Sequence, residues 1–140
     1  MWQTLTSEIL CQIFVCAINY APFLILEPHL FPWHLGHICS AWRNAFISFP
    51  EIWTYFVIDF AQHWMASLQR IQISLEMVQL CLDRSKGCPI RFMFMDHWRL
   101  DRAESDRPKI QLYFEILWTL AIHSTRWKHA HFRTKPTFQC

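Results

Sequence analysis

Glycine is almost missing from this sequence, which holds two in 140 residues. A loop that cradles phosphate needs several, because backbone N–H groups must approach the ligand closely. A P-loop and a dinucleotide fingerprint are therefore excluded. Charge is scarce too, at 17%. Acids interrupt the bases, so the basic footprint that nucleic acid needs is missing, and no nucleic-acid partner is expected. The six cysteines include no Cys-x-x-Cys pair, and no secretory signal precedes them. Cys11 and Cys16 fall on differing faces of one predicted helix, a poor disulfide geometry. The cysteines read as small buried apolar groups in a reducing compartment, cytoplasmic or nuclear.

Long apolar runs are also few. The charge-free stretch Ile9–Leu26 contains Gln12, Asn19 and Pro22, and Glu8 and Glu27 bracket it. Acidic flanks are the wrong sign for a membrane anchor, so no membrane span is expected.

What the chain has in quantity is apolar surface. Hydrophobic residues make up 53%, with eight Trp and twelve Phe. One core cannot hide all of it, which predicts exposed apolar surface that a partner covers. The net charge of +2 is unevenly placed: residues 1–60 carry −3 and residues 61–140 carry +5. The basic second half favours an acidic partner.

Thr6 is placed to cap a first helix, with Glu8 in its first turn and Ile9, Leu10, Ile13, Phe14 and Ala17 as one stripe. Pro22 ends that helix, and residues 22–32 read as an irregular connection. Pro32 opens a second helix with Leu35, Ile38, Cys39, Trp42, Ala45, Phe46 and Phe49 at helical spacing, and Pro50 stops it. Residues 53–60 have strand composition. Residues 61–73 are ambiguous. A helix then carries Leu75, Val78 and Leu82, with Gly87 as its C-terminal cap. Residues 89–95 form a strand with Ile90, Phe92 and Phe94 on one face. Asp96–Lys109 reads as a polar loop. A helix over 110–123 with Leu112, Ile116, Leu117, Leu120 and Ala121 as its apolar side, and a strand near 127–132, complete the pattern.

This second half repeats itself. Leu75-Glu76 parallels Phe114-Glu115 at an offset of thirty-nine residues, and the strand ending at Phe94 parallels the one ending at Phe132 at an offset of thirty-eight. Such units predict parallel strands joined by helical crossovers, the start of a solenoid. With so few units the array reads as shortened or as a fragment.

Candidate chemistry is thin. His34, His37 and Cys39 could be drawn as a metal site, but Cys39 is not aligned with His34 on a helix. No cysteine and histidine share a nucleophile signature. Asp101, Glu104 and Asp106 sit in a charged segment and read as solvated. No catalytic residue, metal or cofactor is expected.

Three pieces stand in order: Leu5 with Glu8-Ile9-Leu10 and Ile13-Phe14, then Ile38-Cys39 with Trp42-Arg43, then Pro50 with Ile52-Trp53. Arg84-Ser85, Cys88-Pro89 and Arg126-Trp127 follow. This ordered set resembles the F-box proteins, in particular the large fungal F-box-like families. The resemblance divides the chain into an F-box at 1–53 and a partial leucine-rich-repeat-like substrate-binding region at 54–140. It implies an α+β fold, a three-helix F-box followed by a short, incomplete helix/strand array. It implies a substrate-recognition adaptor, not an enzyme, that docks on the Skp subunit of a cullin–RING (SCF-type) ubiquitin ligase and holds an unidentified protein substrate. Leu5, Ile9, Leu10, Ile13, Phe14, Leu35 and Ile38 would supply contact, and Trp42 and Arg43 would complete the set by orienting the turn. The competing role for the last two is internal: Trp42 in the core and Arg43 on helix carbonyls. Thr6 stands where the family has proline, which implies a weaker N-terminal contact. Ile47-Ser48-Phe49 replaces a small-residue turn. The second reading is a degenerate or truncated F-box module that serves only as a structural or interaction domain.

Overall fold

The computed structural model describes residues 6–27, 32–60, 67–98 and 107–136, with backbone alone at 96–98 and 134–136. Leu5, Asp101, Glu104 and Asp106 lie outside the described residues.

Helix α1 (Ser7–Tyr20) begins where the Thr6 hydroxyl accepts a long hydrogen bond from the Ile9 amide at 3.4 Å. Leu10, Phe14 and Ile18, four residues apart, bury its inner face. Each such side chain contributes about 1.5–3 kcal/mol. Proline at 22 stops it, but the next residues are not irregular throughout. Phe23–Leu24 form a two-residue strand, β1, because Phe23 has a fully buried aromatic site to fill.

The second helix also differs from the single one expected. Trp33–His37 form a 3₁₀ turn, Cys39 is extended, and α2 spans Ser40–Ser48. The break lets the backbone at Gly36 lie flat on Phe46, where a Cβ would stand 3.1 Å from the ring. A second 3₁₀ turn, Pro50–Trp53, leads into β2 (Tyr55–Asp59). Helix α3 (Leu68–Arg84) starts at Ser67, whose hydroxyl accepts from the Arg70 amide at 3.2 Å. It ends at Ser85, and the left-handed residue is Lys86 at φ 51°, not Gly87. Strand β3 (Ile90–Trp98) runs into the segment expected as loop, and α4 (Arg107–Ile122) begins before its end. A 3₁₀ turn at Ser124–Arg126 precedes β4 (Trp127–Pro136).

The four strands form one parallel sheet in chain order, β1-β2-β3-β4. Parallel neighbours need crossovers, which are right-handed as a rule, so α3 and α4 lie together on one side. The two helices pack on each other. Phe56, Ile58, Ile90, Phe92 and Phe94 face them and are buried. One hydrophobic cluster extends from Leu10 to Leu120. Tyr113 joins it, although its position was not in the expected apolar side of α4, while Ala121 is exposed.

A recurring device closes the helix ends. The Trp53 indole donates to the Phe46 carbonyl at 2.8 Å, and the Trp127 indole donates to Leu120 at 3.1 Å. Trp53 stands two residues before β2 and Trp127 opens β4, and each caps the helix through a carbonyl seven residues back. At the end of α3, Ser85 and Arg126 take this part. Ser85 Oγ donates to Leu82 O at 3.0 Å, and Arg126 donates to Ser85 Oγ at 2.6 Å, Cys88 O at 3.1 Å and Leu82 O at 3.3 Å. Orphaned helix carbonyls are thereby satisfied. Arg126→Ala is expected to lower stability by about 2–4 kcal/mol, since it strands partly buried acceptors. Urea denaturation measures the loss, and a loss within error of zero would remove the clamp.

Cys81 lies fully buried on α3. Burial pushes its thiol up, against a smaller opposing pull from Arg84. The unfolded thiol ionises near its ordinary value of about 8.5. The raised folded value means that this contribution is fully present below about pH 8.5 and fades as pH rises further, by up to about 1.4 kcal/mol per pH unit. Wild type is therefore expected to lose more stability than Cys81→Ala between about pH 9 and pH 10 in paired urea melts.

Candidate docking surface

Helix α1 presents two apolar faces. The sequence pattern leads one to expect a single stripe, but Leu10, Phe14 and Ile18 point inward while Ile9 and Ile13 stay outside, each 44% exposed. Positions 9, 13, 16 and 20 are spaced by four, three and four, so they share one side of a helix. Cys16 and Tyr20 extend the stripe, and Tyr20 is 91% exposed. The sequence held the signal for both residues, but it was hidden by a helix that is apolar on nearly every side.

The expected contact residues therefore separate. Leu10 and Phe14 are core residues, and Leu35, within the 3₁₀ turn, is 8% exposed. A side chain that fills its own core has no surface left for a partner, so these three act by holding the elements in place. Ile38, between the turn and α2, is 54% exposed. Trp42 is half-buried and meets Phe14 edge-on at 5.3 Å between ring centroids. Phe46 meets Phe14 from the same helix at 5.9 Å. Arg43 Nε donates to the Gly36 carbonyl at 3.2 Å, which ties α2 to the preceding turn. These contacts agree with internal positioning for Trp42 and Arg43. The apolar residues left exposed on α1 are Ile9, Ile13, Cys16 and Tyr20, with Ile38 apart from them in sequence.

Trp53 is the floor beneath this half of the molecule. It stacks on Phe23 at 4.9 Å and meets Phe46 at 4.7 Å and Trp33 at 5.9 Å. The Arg84 guanidinium lies 4.6 Å above its ring. A cavity of about 290 Å³ opens there, with Trp33, Phe46 and Trp53 as apolar lining and His37, Arg43 and Arg84 as polar lining.

His34 and His37 lie in the 3₁₀ turn and Cys39 precedes α2. Among the described residues, no three His, Cys, Asp or Glu side chains form a group able to hold a metal ion. No helix among them is long and apolar enough to cross a membrane. Cys16 and Cys39 are exposed thiols. Comparison with protein-family models, curated proteins and solved structures finds no match.

Proposed function

We propose that the chain is a substrate-recognition adaptor that docks on the Skp subunit of a cullin–RING ubiquitin ligase. The observation that carries this reading is the exposed stripe Ile9, Ile13 and Tyr20 on a helix whose other face is already buried. An amphipathic helix with a second, unburied apolar face suits a groove between partner helices. The stripe lies in the segment that resembles an F-box, and Trp42-Arg43 and Pro50 through Trp53 shape the turns behind it. In this reading residues 54–140 hold the substrate on a leucine-rich-repeat-like array, and the ligase acts in the cytoplasm or nucleus. The finer fold assignment, a three-helix F-box, rests on α1, α2 and the 3₁₀ turns between and after them.

Thr6 bears on the alternative, a degenerate module with no ligase role. Its hydroxyl caps α1, which gives this residue a use of its own where the family has proline. Hydrogen exchange with and without purified Skp adaptor tests the proposal. Added protection is expected in the Ile9–Tyr20 segment and around Ile38. Unchanged exchange there, at adaptor concentrations that saturate a known F-box, would favour the degenerate module.

A further inference from the structure

Strand β4 runs along one side of the sheet, and among the described residues no strand pairs with its outer edge. Its sequence, Trp127–Pro136, contains Lys128, Arg133 and Lys135, two histidines and no acid. Register fixes which way these residues face. Ala130 and Phe132 pair with Phe92 and Phe94, whose side chains are buried under the helices. His129, His131 and Arg133 pair with Arg91, Met93 and Met95, so they stand in a row on the other face. All three are exposed. Arg91 continues the row onto β3, where it lies 4.3 Å from the Tyr55 ring and donates to Asn19. The acid on this face among the described residues is Asp59 of β2, which pairs with Met95. It lies two strands from Arg133, about 10 Å away.

We infer that the β4 edge binds an acidic, extended protein segment, which adds to the sheet as a further strand. Two arguments select this occupant. An open edge offers unpaired backbone N–H and C=O groups, which another strand can satisfy and a nucleic acid cannot. Like charges placed opposite each other are destabilising, so Arg133 disfavours β4 of a second copy and favours a carboxylate, and the rings of His129 and His131 offer N–H donors to further carboxylates. The pleat then specifies a pattern. Acidic residues at alternate positions meet His129, His131 and Arg133, and the intervening apolar residues lie beside Phe132, which is 48% exposed. If the chain is an adaptor, this names the class of substrate it holds. The binding itself is measured on the chain alone, so its failure and the failure of adaptor docking are separate results.

The test is fluorescence anisotropy of a labelled peptide that alternates glutamate and valine, titrated with the full chain. Saturable binding is expected, weakening at least about tenfold in Arg133→Glu and at raised salt. A peptide with lysine in place of glutamate should not bind, and N-methylation at alternate residues should abolish binding because it removes strand hydrogen bonds. Circular dichroism checks that the variant is folded, and the two altered peptides test the claim on the unaltered chain. No binding of the acidic peptide, equal binding of the lysine or N-methylated peptide, or tighter binding of a single-stranded oligonucleotide of the same charge would each overturn the inference.

Discussion

Ile13→Asp is expected to abolish binding to the Skp adaptor and to leave the fold intact. Ile13 sits mid-stripe on α1 with 44% of its surface exposed, so the isolated chain tolerates a carboxylate there. Covered by an apolar groove, the same carboxylate has no partner and costs about 3–5 kcal/mol. That is a loss of affinity of roughly a hundredfold to several thousandfold. Leu10→Asp makes the contrast, because Leu10 is buried and its replacement should unfold the helix's inner packing. A titration by calorimetry, with melting curves for both variants, separates the effects. Unchanged affinity in a folded Ile13→Asp chain would remove the stripe from the docking surface.

Trp53→Ala is expected to cause the largest loss of stability of any single truncation. The side chain is 1% exposed, stacks on Phe23, meets Phe46 and Trp33, and donates to the Phe46 carbonyl. Truncating a buried aromatic costs about 3–5 kcal/mol, and the stranded carbonyl adds about 1–3. Small domains have only about 5–15 kcal/mol in total. The variant should therefore be largely unfolded or melt far below wild type. Trp53→Phe keeps an aromatic ring in the site and should lose less than Trp53→Ala, although it too leaves the Phe46 carbonyl without the indole N–H. A loss under about 1.5 kcal/mol for Trp53→Ala in urea melts would contradict the central place given to this residue.

Local pattern made much of the fold legible. Strand composition at 53–60 and the alternation Ile90, Phe92, Phe94 placed β2 and β3, and the thirty-nine-residue offset predicted parallel strands with helical crossovers. The misses share a cause, which is that tertiary packing decided them. Two residues, Phe23 and Leu24, are too few to show a period, and they become a strand because β2 offers them a neighbour. The helix expected over 32–49 breaks at Cys39 so that Gly36 can meet Phe46. Lys86 takes the left-handed position although Gly87 stands beside it, and nothing local distinguishes the two. The basic face of β4 was visible only as net charge, because facing requires the register with β3. For the docking surface, the sequence named Ile9, Ile13 and Ile38 among residues that turned out to be core. Hydrophobicity alone does not tell a residue that fills its own core from one that awaits another protein.

Co-expression with the Skp adaptor, followed by size-exclusion chromatography with light scattering, tests the central claim most directly. The account predicts a one-to-one complex whose mass is the sum of the two chains, lost in Ile13→Asp. Separate elution of the two proteins, with this chain folded, would contradict it.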